Sequence, residues 1–288
     1  MKHSNRAQLM LVLSMTVFGT IGLFVRYIPL SSGEISLWRS VLAALLIGGY
    51  LLVTRQGIPF RTLRKQIPLL IASGFALGLN WVFLFEAYRY TTVSVATLCC
   101  YFAPVLVTIA CPILFRERIS ARQWLCFGMS TLGLVLITGF GGDGGNRHLI
   151  GVLCGLGSAV LYASVILINK FMTGVGDMPR TFLQFVASVL VMAPYTLLSG
   201  YEGLSSLDAV GWGHLLILGL FHTGFIYCIY FSAIRKLPGQ KTAILSYIDP
   251  LVAILLSFFL LGEEMSLWQI IGGALILGFT LWNELSDT

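Results

Sequence analysis

Ten apolar segments, each about 20 residues long, follow one another along this 288-residue chain and decide which solvent it can fold in. Hydrophobic residues make up 57% of the sequence and charged residues only 10%, whereas soluble domains carry roughly 25% charged residues. A helix of about 20 residues crosses a hydrocarbon core of roughly 30 Å. The sequence therefore predicts an all-α integral membrane protein with ten transmembrane helices. The predicted spans are 7–27, 34–53, 67–88, 92–115, 120–140, 149–169, 180–199, 210–234, 242–261 and 266–283.

The second half of the sequence repeats the first at a constant offset of 146 residues. Each half holds five of the predicted spans, and a repeat with an odd number of spans enters the bilayer in the opposite orientation to its twin. The sequence therefore predicts two inverted five-helix repeats, residues 1–140 and 149–288, joined by a glycine-rich tether at 141–148. The matched pairs that do not involve common apolar residues are Arg89/Arg235, Tyr101/Tyr247, Pro104/Pro250, Glu117/Glu263, Ser120/Ser266 and Gln123/Gln269.

The basic residues fall mostly on one side of the predicted membrane. If the N-terminus is cytoplasmic, fourteen of the eighteen Lys and Arg residues lie inside, while only Arg26, Arg89 and Arg147 lie outside. Cytoplasmic loops carry such an excess of positive charge. We therefore expect a multi-pass protein of the cytoplasmic (cell) membrane with both termini in the cytoplasm. The net charge of +6 follows from this topology and does not indicate a nucleic-acid partner.

Neither the cysteines nor the glycine-rich segments carry a cofactor motif. The six cysteines lie within apolar runs, without a C-x-x-C pair or a histidine at zinc-ligand spacing. The glycines at 141–145 are not followed by the lysine and hydroxyl residue of a phosphate-binding loop, and there is no adenine-nucleotide motif elsewhere. The sequence thus predicts no metal, no cofactor and no direct ATP drive.

Two prolines lie near the middle of predicted spans four and nine. Pro104 and Pro250 each remove a backbone donor and free a carbonyl group. In lipid, a freed carbonyl is tolerated only where protein or a water-filled cavity satisfies it. Prolines at matching depth in both halves therefore indicate a central cavity formed by discontinuous helices. The alternative is a pair of kinks that serve packing alone.

The passages around these prolines carry a family resemblance. Tyr101-Phe-Ala-Pro104 and Tyr247-Ile-Asp-Pro250 each precede an apolar run that ends in Arg116-Glu117-Arg118 or Gly262-Glu263-Glu264. Together with the ten spans, the two repeats and the in-span Arg39, they resemble the EamA-type transporters of the drug/metabolite transporter superfamily over essentially the whole chain. The resemblance implies a secondary active transporter that exports amino acids, other metabolites or drugs, often by proton exchange.

Ionisable side chains inside the spans are the best candidates for function, since burying one at a helix centre costs about 2.5–3.5 kcal/mol. Arg39 and Glu86 are predicted to meet near the outer end of the bundle, as a static ion pair or as a gate. Asp249 and His222 lie deeper, at the level of Asn80, and form a candidate proton-coupling pair, with Glu86 as a further candidate. The alternatives are a hydrogen-bonded core histidine and an aspartate that caps freed backbone donors.

Aromatic residues surround these positions and are expected to wall a cavity with few polar groups. Such a cavity suits a small amphiphilic metabolite. The predicted substrate-binding residues are Asn80, Trp81, Tyr101, Pro104, Tyr162, His222, Tyr227, Tyr247, Asp249 and Pro250.

These patterns favour a secondary transporter that exports a small metabolite, an amino acid or another amphiphilic compound, by alternating access with proton coupling. Its expected partners are a small-molecule substrate and the lipid bilayer, and the sequence leaves open whether it acts alone or as a homodimer. An intramembrane enzyme would need a dyad such as Ser158 with His222, but no G-x-S-G motif surrounds Ser158. A passive channel or a structural membrane subunit is the third reading.

Overall fold

The computed structural model describes residues 2–55, 57, 63–115, 119–139, 145–200, 203–237 and 239–286, and every regular element in these ranges is helical. Two of these elements are not α-helical, namely a 3₁₀ turn (Leu204–Ser206) and a π-helix (Ile217–Phe225). The α-helices are α1 (Lys2–Gly19), α2 (Ile21–Val25), α3 (Ser32–Val53), α4 (Ile67–Tyr90), α5 (Val93–Cys100), α6 (Ala103–Phe115), α7 (Ala121–Gly139), α8 (Gly145–Phe171), α9 (Asp177–Ser199), α10 (Ala209–Leu216), α11 (Ile226–Ile234), α12 (Gly239–Ser246), α13 (Ile248–Leu261) and α14 (Leu267–Ser286).

Among the described residues, eight helical segments are long and apolar enough to cross a membrane. They correspond to eight of the ten predicted spans. The remaining two predicted spans, 120–140 and 266–283, are helical as α7 and α14 and pack against each other. The all-helical membrane architecture is therefore confirmed, while the count of ten spans stays a prediction.

The helices pack in a pattern that is unchanged when the two halves are exchanged. α7 packs on its own twin α14, and α3 packs on its own twin α9. The contact of α4 with α8 has its twin in the contact of α11 with α1. The contact of α9 with α4 has its twin in the contact of α3 with the π-helix. Two copies of one five-helix unit would give this pairing, so the packing agrees with the repeat in the sequence.

Two of the repeated residue pairs are the N-terminal caps of twin helices. The Ser120 amide donates to Gln123 Oε1 (2.8 Å) and the Gln123 amide donates to Ser120 Oγ (3.2 Å) at the start of α7. Ser266 and Gln269 form the same two bonds at the start of α14 (2.9 and 3.2 Å). Such a capping box satisfies two backbone donors that the first helical turn leaves free, which explains why both halves keep these residues.

Two membrane-length segments are interrupted where the prolines predict it. α5 ends at Cys100 and α6 begins at Ala103, while α12 ends at Ser246 and α13 begins at Ile248. Pro104 and Pro250 thus lie in the first turn of the second half-helix, where a missing amide donor costs nothing. Both segments thus carry a short break just before the proline, while the central cavity that the prolines suggest stays a prediction.

Contacts between loops divide the molecule into two faces. Thr91 Oγ1 lies 3.0 Å from His148 Nδ1, and the Gly203 amide donates to Glu34 Oε1 (2.9 Å). Together with the bond from the Val93 amide to Glu263 (2.8 Å), they link the loop after α4 to the start of α8 and to the loop after α13, and the loop after α9 to the start of α3. We call this side the mouth face. On the opposite side, which holds the starts of α1 and α4, Gln66 Nε2 donates to the Thr173 carbonyl (2.9 Å). We call it the terminal face.

Residues 145–148, at the end of the predicted tether, form the first turn of α8. The rest of the predicted tether, 141–144, lies outside the described residues, as does Glu117 with its neighbours 116 and 118.

Candidate substrate cavity

The breaks in the two interrupted segments meet through one hydrogen bond. Tyr101 follows the last residue of α5, and its hydroxyl donates to Asp249 Oδ2 at 2.6 Å. Asp249 lies in the first turn of α13, where the positive end of the helix dipole favours a carboxylate. A tyrosine from the first half therefore holds a half-buried carboxylate of the second half at the point where both helices are discontinuous.

Arg39 lies within the bundle and is only 3% exposed. Its Nε donates to Thr223 Oγ1 of the π-helix (2.6 Å), and its guanidinium carbon lies 4.0 Å from the centre of the Trp81 ring. Arg39 also interacts electrostatically with Tyr88, Tyr227 and Asp249. A hydroxyl and an aromatic face thus take the place of the carboxylate partner that the sequence suggested.

The predicted ion pair between Arg39 and Glu86 is wrong. Glu86 accepts a hydrogen bond from the Ser32 hydroxyl (2.6 Å) and lies 3.8 Å from Arg89 in its own helix. Ser32 begins α3, and Arg39 is seven residues further along, or about 10 Å deeper at 1.5 Å per residue. Glu86 therefore belongs to the mouth face, while Arg39 belongs to the interior.

His222 lies in the π-helix and is 1% exposed. Its Nδ1 donates to the Ile217 carbonyl (3.1 Å), a partner five residues earlier that an α-helix would not offer. Its Nε2 is 2.6 Å from Thr20 Oγ1, at the junction of α1 and α2, and its ring packs edge-on against Phe24. The histidine therefore joins the first span to the eighth.

Asn80 belongs to a separate polar group on α4 and α8. Its amide nitrogen donates to both the carbonyl and the hydroxyl of Ser158 (2.8 Å each), and the Ser158 hydroxyl donates to the Cys100 sulfur (3.3 Å). Asp249, His222 and Asn80 each have hydrogen-bond partners of their own, and their convergence on one cavity stays a prediction. Ser158 and His222 form no dyad.

The predicted aromatic residues are divided between the interior and more open positions. Tyr227 packs against the rings of Phe18 (5.2 Å) and Phe185 (5.7 Å), and Trp81 packs against Phe185 from the other side (5.6 Å). Tyr162 is 43% exposed and lies within electrostatic range of Tyr227 and Asp249. Tyr247, the twin of Tyr101, is buried at the break before α13, and Pro250 is buried beside it.

A cavity of about 500 Å³ opens at the mouth face, and we call it the vestibule. None of the ten predicted substrate-binding residues lines it. Phe85 and Tyr88 are buried residues of its lining, and the guanidinium carbon of Arg39 lies 5.7 Å from the Phe85 ring centre. The vestibule is lined by Val25, Arg26, Ile28, Pro29, Leu30, Ser31, Ser32, Ile35, Phe85, Tyr88 and Arg89.

An ion pair that sequence reasoning missed joins the two halves beside the vestibule. Arg26, just after α2, pairs with Glu263, just after α13. Glu263 also accepts a hydrogen bond from the Val93 amide (2.8 Å) and one from the Ser257 hydroxyl. We call Arg26 and Glu263 the mouth ion pair. The sequence does predict that both residues lie at the same face of the membrane. Nothing in it indicates that their two loops lie side by side.

Comparison with known proteins places this architecture in a family. The model of the EamA-like transporter family matches the chain twice, over residues 5–139 and 149–283. The uncharacterized transporter YxxF of Bacillus subtilis is 29% identical over 96% of this chain and 88% of its own length. An uncharacterized transporter of Archaeoglobus fulgidus is also 29% identical, over 95% of both chains.

A solved crystal structure shares the fold, with a TM-score of 0.68 over 98% of this chain and 97% of the other at 18% identity. The double family match, the helical architecture and the similarity to named transporters agree with the resemblance seen in the sequence. The chain belongs to the EamA-like transporter family.

Proposed function

We propose that the protein is a secondary active transporter that exports a small metabolite, an amino acid or another amphiphilic compound, by alternating access in exchange for protons. The observation that carries this proposal is the contact of Tyr101 with Asp249 at the breaks of two twin helices. Secondary transporters bind substrate and coupling ions at such discontinuities. In this proposal Asp249 is the coupling carboxylate.

The proposal includes ten spans in two inverted repeats with the mouth face outside the cell. The two repeats are supported by the helix packing, which stays the same when the two halves are exchanged. Ten crossings are supported by the loops, which lie alternately at the terminal face and at the mouth face. The excess of basic residues among the loops of the terminal face supports a cytoplasmic location for that face.

Alternating access requires a gate on each side of the substrate site. The mouth ion pair is suited to this role on the outer side, because it joins a loop of the first half to a loop of the second. It replaces Arg39 and Glu86 as the outer gate in this proposal. His222 and Glu86 have hydrogen-bond partners of their own and are secondary candidates for proton coupling.

The test uses purified protein in liposomes that contain a pH-sensitive dye, to which amino acids and amphiphilic cations are added one at a time. We expect at least one compound to evoke proton movement and to accumulate against its own gradient when a pH gradient is imposed. Asp249→Asn should abolish the coupled proton movement. Glu264→Gln removes an exposed carboxylate of the mouth face and is the matched control, which should behave as the wild type.

Two results would count against the proposal. Flux that does not saturate and that no gradient drives uphill would favour a passive channel. Proton-coupled transport that is unchanged in Asp249→Asn would leave transport intact and remove Asp249 from the mechanism.

A further inference from the structure

Arg39 has donors that the described protein does not use. A guanidinium group carries five N–H donors, and only the one on Nε has a hydrogen-bond acceptor, Thr223. Neither Nη nitrogen donates to a described residue, and neither is among the polar atoms that are both unpartnered and completely enclosed. Both terminal nitrogens therefore keep contact with accessible space, although the residue as a whole is 3% exposed.

The charge of Arg39 is also without an ion-pair partner among the described residues. Ion pairs are formed there by Arg26 with Glu263, by Arg89 with Glu86 and by Arg180 with Asp177, and Arg39 takes part in none of these. Asp249 is within electrostatic range of Arg39 but forms no ion pair with it, and its carboxylate accepts a hydrogen bond from Tyr101. Burying a cation costs free energy unless it is paired with an anion and its donors are hydrogen-bonded. A bound ligand that accepts from the Nη donors of Arg39 would remove this cost.

The shape and surroundings of the free donors define the ligand. The planar fork of an arginine matches a carboxylate, which accepts two parallel N–H bonds. The single positive charge of the guanidinium group is balanced by a ligand that carries one negative charge. The walls are aromatic, since the guanidinium carbon lies 4.0 Å from the Trp81 ring centre and 5.7 Å from that of Phe85, and Phe85 and Tyr88 also line the vestibule. A flat apolar group is the natural neighbour of these rings.

We propose that the Nη atoms of Arg39 form a carboxylate-binding subsite, reached from the vestibule past Phe85 and Tyr88, and that the transported solute is a monocarboxylate with a flat apolar body. The inference deepens the proposed transport function and rests on it. It also gives Arg39 a role different from a gate, since its fixed contacts to Thr223 and Trp81 position the fork while the Nη atoms face the ligand.

The test measures binding to the purified full-length protein by ligand-induced thermal stabilisation, which reports affinity for the native state. The probes are phenylpropanoate, its uncharged amide and phenylpropylamine, which share one apolar body. We expect the wild type to bind the acid about tenfold more tightly than the amide, and the amine no better than the amide. Palmitate is added as a separate arm, because a lipid could supply the same carboxylate.

Three variants assign the selectivity to a residue. Arg39→Gln should reduce the ratio of acid to amide affinity to about one, and Arg39→Lys should give an intermediate ratio because it keeps the charge without the planar fork. Arg147→Gln removes an exposed mouth-face arginine that does not line the vestibule, and it should keep the wild-type ratio. The ratio is taken within each variant, so a general loss of stability does not change it.

The wild type alone can overturn the subsite. Equal binding of acid and amide, tighter binding of the amine, or no binding of any probe would each contradict it, and selective binding of palmitate alone would show a lipid site instead. Failure of the subsite is distinguishable from failure of the proposed function. In the first case some compound still moves uphill in liposomes, and in the second none does.

Discussion

At the scale of single residues, the polar groups inside the bundle are arranged in pairs that cross from one half of the chain to the other. Tyr101 meets Asp249, Arg39 meets Thr223, and Thr20 meets His222. In lipid, where water does not compete, each of these groups needs a protein partner or a ligand. The interior polar residues therefore fix how the two halves fit together as well as where a solute can bind.

The hydroxyl of Tyr101 is predicted to stabilise the fold through Asp249. Tyr101→Phe keeps the ring and removes the donor, which leaves the carboxylate without its partner and should lower the free energy of unfolding by about 1–3 kcal/mol. The measurement is thermal denaturation of the purified protein in detergent. Tyr162→Phe is the control, because no hydrogen bond of the Tyr162 hydroxyl to a described residue is present. Equal shifts in the two variants would show that the bond contributes nothing specific.

The sequence identified the residues of this interior better than their partners. Arg39, His222 and Asp249 stand out as in-span ionisable groups without ionisable twins, and all three make cross-half contacts or interactions. The pairing of Arg39 with Glu86 failed because opposite charge and approximate depth do not fix a contact. Arg39 donates instead to the hydroxyl of Thr223 on the π-helix, and this contact depends on tertiary packing.

At the scale of helices, the local signals in the sequence were reliable where the chemistry is local. The prolines mark the helix breaks, and the Ser/Gln pairs cap α7 and α14. No residue pattern in the sequence marks the π-helix at Ile217–Phe225, which packs against α3 in the folded protein. It turns His222 and Thr223 toward Thr20 and Arg39, so the part of the site built on it was not predictable.

Close contact between α7 and α14 depends on two glycines. A Cβ added at Gly133 would lie 2.5 Å from the Gly272 carbonyl oxygen, and one added at Gly272 would meet the Gly133 carbonyl at a similar separation. Gly272→Ala should therefore force the helices apart and cost about 1–3 kcal/mol, measured by thermal denaturation. Gly278→Ala, on the same helix with no atom within 4 Å of the added methyl group, should be neutral or slightly stabilising. Equal destabilisation by both would argue against the contact.

At the scale of the whole molecule, the two halves are joined differently at the centre and at the mouth face. Near the centre, the Arg39–Thr223 contact is buried, so it is shielded from salt. At the mouth face the joining element is an ion pair whose side chains are 38% and 10% exposed. An exposed pair responds to salt and to single substitutions more readily than a buried one. The mouth face is therefore where the relative position of the two halves is easiest to change.

Loss of the mouth ion pair is predicted to open this face without unfolding the bundle. Arg26→Gln removes a half-exposed pair worth about 1 kcal/mol, which shifts an open–closed equilibrium about fivefold. Hydrogen exchange should then become faster at Val93, whose amide donates to Glu263, and in the segment 257–266. Arg89→Gln removes the same charge from a pair within α4 and should leave both segments protected. Faster exchange in both variants would mean that mouth-face charge, rather than the link between the halves, controls opening.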